Sequence, residues 1–210
     1  VITSDAARKA LAGKTDDVTE FEAKQVLAHY GIGVTREELA IVERLFRTGD
    51  VSRAEVLRLA GDYAKQAGVM LVPEALNRFE CYLCNTMAQL RMLVELTNHP
   101  NVRAMFDTHH ANMEEKTFAD AIRTIAPVLV HVHLSENDRG TPGSGHVNFK
   151  ESIATLANVG YDGWMTIEAF GLALPALAAA TKIWRKMFES EEQLSRDGIK
   201  FVRDNLARRV

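Results

Sequence analysis

Cysteine is nearly missing from this chain: 210 residues contain two, Cys81 and Cys84, in a single C-x-x-C. A structural zinc centre takes about four ligands, and no second pair at suitable spacing stands nearby, so both are expected as free thiols in a reducing compartment. Long apolar runs are missing too. None approaches the ~20 residues of a membrane-spanning helix, and the first residues carry no basic stretch followed by an apolar segment. The expectation is a cytoplasmic protein with no membrane partner. Nor is there an excess of positive charge: 25 Lys and Arg stand against 28 Asp and Glu, a net charge of -3. The basic residues are scattered rather than gathered on one face, which argues against nucleic acid as a partner. What remains is an ordinary globular composition, 47% hydrophobic and 25% charged, sufficient to bury a sizeable core. The partner this implies is a small molecule.

The chain then divides by pattern. Three stretches in its first part open with Ser or Thr followed three residues later by Glu: Thr19 with Glu22, Thr35 with Glu38, and Ser52 with Glu55. That arrangement is the capping box of a helix start, and the third helix is expected from about Ser52 to Gly68, where glycine stops it. From Val69 onward short apolar runs alternate with helical stretches. VMLVPE, VRAMFD, VLVHVHL and WMTIEAF read as buried parallel strands. NTMAQLRMLVELTN, EEKTFADAIRTIA and NFKESIATLANVG place apolar residues at helical spacing, and PALAAATKIWRKMFES and EEQLSRDGIKFVRDNL follow as two further helices. The fold class is α/β, with strand, loop and helix repeating four times.

Each of the four strand runs ends in polar chemistry: Glu74, Asp107, His133 and Glu168. They lie roughly 25 to 35 residues apart, about one βα unit each time. In parallel βα folds the C-terminal strand ends converge on one mouth, so residues far apart in sequence can surround one ion. Any one of the four alone reads better as a charged loop residue at a helix start. All four at the same phase of successive units point to a common site. Three carboxylates and one imidazole form a hard, oxygen-rich set suited to Mn²⁺, Mg²⁺ or Co²⁺ rather than to a closed structural zinc site. His131 and His133 share one face of their strand. His133, nearer the C-terminal end, is the ligand candidate, and His131 is expected as a hydrogen-bonded core residue one layer down. His99 reads as a turn residue, and His29 and His146 fall outside the site.

The motifs PEALNRFE, FDTHHANMEE, HVHLSENDRGTPG and IEAF resemble, in order and spacing, the xylose isomerase-like TIM barrels of the ketose 3-epimerase type over about residues 62–206. The resemblance implies a metal set of Glu74, Asp107, His133 and Glu168, with Mn²⁺ as the expected ion. It further implies that Glu80, His110 and Arg139 contact the hydroxyls of a sugar substrate. The expected chemistry is epimerisation next to a carbonyl through an enediolate, with Glu74 and Glu168 exchanging protons at C3 from opposite sides. Two other readings stay open: an aldose-ketose isomerase similar to hydroxypyruvate isomerase, which uses the same chemistry one carbon along, and an inactive half-barrel fragment.

The chain departs from the family pattern in length. A complete (β/α)₈ barrel takes about 250 residues, and the expectation is a partial TIM barrel made of the last four βα units over residues 51–210. Such a half-barrel has open sheet edges and an uncovered inner face, which call for a second copy or for cover by the N-terminal helices; a homo-oligomer is expected. Residues 1–50 are expected as a separate helical segment of foreign origin. DVTEFEAKQVLAHYGIGVTREE is similar to the opening of the ATP-grasp region of ADP-forming acyl-CoA synthetases. None of that family's nucleotide-binding remainder follows, and ATP binding is not inferred. A smaller departure is Asn148 in GHVNF, where related sequences carry an acidic residue; a modest effect is expected.

Overall fold

The computed structural model describes residues 53–207. The capping residues of all three expected N-terminal boxes, Thr19, Thr35 and Ser52, lie outside the described residues. Helix α1 (Arg53–Gln66) ends near Gly68, whose φ of 69° is a backbone conformation glycine adopts without strain. It is followed by α2 (Met87–Thr97), β1 (Ala104–Asp107), α3 (Thr108–Glu114), α4 (Phe118–Ile125), β2 (Leu129–Leu134), α5 (Phe149–Asn158), β3 (Trp164–Ile167), α6 (Pro175–Ala180) and α7 (Glu191–Ala207). The strands form one parallel sheet in the order β1-β2-β3. This is the α/β architecture of a partial barrel.

The local sequence explains the helices that cover the sheet. Thr86 caps α2 by accepting the Gln89 N–H, Gln89 returns the bond as a capping box, and Asn98 closes the helix in the left-handed region with φ 48°. Thr117 caps α4 and Asn148 caps α5. Asn148 therefore performs the accepting role at a helix start for which Asp and Asn are both well suited. Met87, Leu90 and Val94 of α2, Ile122 and Ile125 of α4, and Phe149, Ile153 and Leu156 of α5 supply apolar stripes. These pack with Ala104, Phe106, Val132 and Leu134 of the sheet into one core. Alternation along the strands then leaves the opposite face for Asp107, His131 and His133.

Three differences from the sequence expectation have local causes. VMLVPE contributes a single bridge, Leu71 with Val102, rather than a fourth strand. The Leu71 N–H reaches Asn101 O, and its carbonyl receives the Arg103 N–H, while the Pro73 carbonyl receives the Met105 N–H. Pro73 has no N–H to return, so the ladder cannot continue. PALAAATKIWRKMFES is helical only to Ala180. The Lys182 N–H bonds to Ala179 O and the Ile183 N–H to Ala178 O, with Lys182 at φ 60°, which is a Schellman ending that turns Ile183 into a buried position. His131 is half-buried on the inner face rather than in the core, with its Nε2 3.4 Å from the Thr166 hydroxyl. His99 sits in the expected turn, its carbonyl receiving the Val102 N–H; its ring is buried with Nε2 3.2 Å from Asp62 of α1, and Gly61 makes room for it. Both cysteines are free. None of the described helices is long and apolar enough to cross a membrane.

The loop 135–148, between β2 and α5, depends on close approach. Gly143 has φ 87°, and a Cβ there would enter the ring of Phe201, which stacks edge-on against Phe149. Gly143→Ala is expected to lower stability by about 1–3 kcal/mol through backbone strain and this clash, read as a lower urea midpoint with an unchanged slope.

Candidate metal and substrate site

The four strand-end residues meet at the C-terminal edge of the sheet. Asp107 ends β1 and is also the N-cap of α3, so its Oδ1 accepts the N–H groups of His109 at 2.7 Å and His110 at 3.1 Å. That leaves Oδ2 facing the inner side. Register places Asp107 beside His133 and His133 beside Thr166. His133 Nδ1 consequently sits 3.6 Å from Asp107 Oδ2 and 3.4 Å from Glu168 Oε1. Glu168 follows β3, its N–H bonded to Leu134 O. Glu74 follows Pro73, with Oε1 3.8 Å from His110 Nε2.

Three of these four residues carry a buried polar atom with no hydrogen-bond partner: Glu74 Oε1, Asp107 Oδ2 and His133 Nδ1. An unpaired buried polar atom costs about 1–3 kcal/mol, and three such atoms in one cluster need a shared partner. Donor atoms of Asp107, His133 and Glu168 lie within 4.8 Å of one another, as do those of Glu74, Asp107 and His110. The residues present fit a divalent cation: three carboxylates and an imidazole, short of hydrogen bonds and rich in negative charge.

The electrostatics show the same strain. Burial, then the neighbouring Asp107 and Glu168 charges, pushes the Glu74 carboxyl up to about 7. His133 is pushed up to about 10 by the Asp107 and Glu168 carboxylates beside it. Burial acts to raise Asp107, but His133, His110, Arg139 and its own helix N–H outweigh that and hold its carboxyl below the usual range.

The three residues assigned to the sugar by resemblance surround this cluster. Arg139, at φ 63°, donates to Glu168 Oε2 at 2.6 Å and Ser135 Oγ at 2.9 Å, and its guanidinium lies over the Phe170 ring. His110 is buried, and burial lowers its pKa. Its Nδ1 takes the Asn77 backbone N–H at 3.1 Å, which assigns the proton of the neutral ring to Nε2. Arg139 NH2 approaches that Nε2 to 3.2 Å. Both can donate to one oxygen placed to the side of the pair. Glu80 is tied to Asn77 Nδ2 at 2.7 Å and lies 4.0 Å from Arg139 NH2.

Sequence reasoning missed Glu136. It is fully buried, and its side chain accepts the N–H groups of Asn137, Gly143 and Val147, folding the loop that carries Arg139. The signal was present as a carboxylate directly after a strand in a glycine-rich stretch, SENDRGTPGSG. Asn77, Thr108 and Ser135 were missed as well. Thr108 Oγ1 bonds both the N–H and the carbonyl of Ser135, joining the β1 and β2 loops.

A divalent cation entering this cluster must displace protons. At pH 8.5 His133 carries one and Glu74 none; at pH 6 both are protonated. Release is therefore expected to rise from about one proton per ion at pH 8.5 to about two at pH 6, with weaker binding at the lower pH. Calorimetry of Mn²⁺ binding in buffers of different ionisation enthalpy measures it, and a constant proton count would contradict the assignment.

Comparison with known proteins places this geometry. The model of the xylose isomerase-like TIM barrel family matches residues 3–205. A probable ketose 3-epimerase of Synechocystis sp. is 33% identical over 161 residues, 77% of this chain and 56% of that protein. A D-psicose 3-epimerase of Agrobacterium fabrum is 36% identical over 142 residues, 67% of this chain and 49% of its own. The crystal structure of D-psicose 3-epimerase with D-tagatose from Clostridium cellulolyticum H10 superposes with a TM-score of 0.69 at 32% identity, covering 83% of this chain and 58% of that one. The chain spans about half the length of the curated relatives it matches. With a parallel sheet, strand-end residues and sequence all in agreement, the chain belongs to the xylose isomerase-like TIM barrel family.

Proposed function

We propose that this chain acts as a divalent-metal-dependent ketose 3-epimerase. The observation that carries the reading is the convergence of Glu74, Asp107, His133 and Glu168 with three buried polar atoms left without partners. The epimerase relatives support the reaction class, and their names suggest D-psicose as a first substrate.

Glu74, Asp107, His133 and Glu168 would hold the cation, with Mn²⁺ the ion of choice. When bound, the cation supplies electrostatic stabilisation for the negative charge that develops on the substrate oxygens. The remaining chemistry belongs to the chain. Glu74 takes or returns a proton at C3 from one face. Glu168 serves the opposite face, its orientation set by the 2.6 Å bond from Arg139. His110 Nε2 and Arg139 NH2 offer converging donors to one sugar oxygen, and Glu80 offers an acceptor to a hydroxyl. A homo-oligomer belongs to the same proposal. Among the described residues, edge strand β3 leaves Trp164 81% exposed, and such apolar edges favour pairing.

The test is incubation of the Mn²⁺-loaded protein with D-psicose in D₂O. The expected result is D-fructose carrying deuterium at C3, with Glu74→Gln and Glu168→Gln each reducing the rate at least ~10²-fold while the urea midpoint is kept. An aldose product carrying deuterium at C2, with exchange at C1 of the recovered ketose, would instead identify an aldose-ketose isomerase. Mn²⁺ binding without any exchange would identify an inactive half-barrel. Light scattering on the same sample should give a mass above that of one chain.

A further inference from the structure

His109 is not among the residues that the resemblance assigns, yet it occupies the mouth of the site. Its backbone N–H bonds to Asp107 Oδ1, and its half-buried ring stands edge-on to His110 at 5.3 Å. Ligand-type atoms of Glu80, His109 and His110 lie within 4.8 Å of one another. The ring is also fixed in orientation and tautomer. Its Nδ1 lies 2.9 Å from the carbonyl oxygen of Glu136, which can only accept, so Nδ1 carries the proton and Nε2 presents a lone pair. A ring held this way is preorganised, because the bond to Glu136 is to a carbonyl whose own side chain ties down the loop.

The neighbours offer complementary chemistry. His110 Nε2 and Arg139 NH2 are donors, and the neighbouring His109 ring, with a nitrogen within 4.8 Å of one of His110, offers its Nε2 as an acceptor. A hydroxyl group both donates and accepts, so a polyol can engage the two sides at once.

We propose that His109 is a substrate-contact residue whose Nε2 accepts a hydrogen bond from a ketose hydroxyl, and so helps to set which sugar the site accepts. This rests on the ketose reading above and adds a residue to it. Such an acceptor discriminates against a sugar that lacks the hydroxyl, because the site then keeps an unpaired polar atom.

Two substitutions separate the ring's two nitrogens. His109→Phe removes both and keeps the ring. His109→Asn keeps a donor for the Glu136 carbonyl, in the place of Nδ1, and removes the acceptor at Nε2. Binding of D-psicose to the Mn²⁺-loaded chain is measured by calorimetry for the parent and both variants, followed by a panel of mono-deoxy ketoses, with Mn²⁺ stoichiometry recorded for each protein. Both variants are expected to weaken D-psicose binding about three- to tenfold with the ion count unchanged. One mono-deoxy ketose should bind the parent and the variants equally. Equal D-psicose binding by all three proteins overturns the proposal, as does loss in the Phe variant alone, which would locate the effect in support of the Glu136 loop. A second Mn²⁺ ion per chain, lost in both variants, also overturns it by making the Glu80, His109 and His110 cluster a cation site. If the parent binds Mn²⁺ but no ketose, the ketose reading itself fails and takes this one with it.

Discussion

Asp107 has one oxygen committed to its own helix and one that nothing in the described chain satisfies. The first accepts two N–H groups at the start of α3, which fixes the carboxylate rigidly and is favoured by the positive end of the helix. The second is buried without a hydrogen bond. Its position fixes much of the site around it. His133 faces it across the parallel register, Arg139 lies 3.8 Å from it, and His109 and His110 follow it directly on α3. A buried carboxylate in this state is costly unless paired. His133 and Arg139 offset part of that cost, while Glu74 and Glu168 add to the negative charge in the same space.

The fold places these groups with few devices. Parallel register brings the ends of β1, β2 and β3 together, and the Pro73 segment joins them at the first edge without completing a strand. The loop after β2 is then folded by the buried Glu136 carboxylate, which gathers three N–H groups and holds Arg139 over the site. Thr108 and Ser135 lock this loop to the one after β1. Ordered loops on a rigid sheet keep Glu168 oriented by Arg139 and His110 by Asn77.

Much of this was legible in the residues, and the reasons differ element by element. The four strand-end positions could be read because residue type and βα phase coincide, and parallel topology turns that phase into proximity. The resemblance added Glu80, His110 and Arg139, and the structure brings them around the same cluster. Glu136 and His109 could not be read from spacing. Their roles depend on the path of a glycine-rich loop, with Gly143 at positive φ packed against Phe201, and no periodicity encodes that path. The apolar run of VMLVPE reads as a strand, but the missing N–H of Pro73 ends its ladder. Apolar residues after Pro175 continue the helical pattern past a Schellman turn built on Lys182 rather than on glycine. For His131, alternation shows which face a residue shares but not whether anything covers that face.

Whether Glu74, Asp107, His133 and Glu168 hold one divalent cation between them is decided by anomalous scattering at the manganese edge from crystals grown with Mn²⁺. One strong peak per chain is expected, within coordinating distance of all four side chains. No peak there, or a peak confined to Glu80, His109 and His110, overturns the assignment.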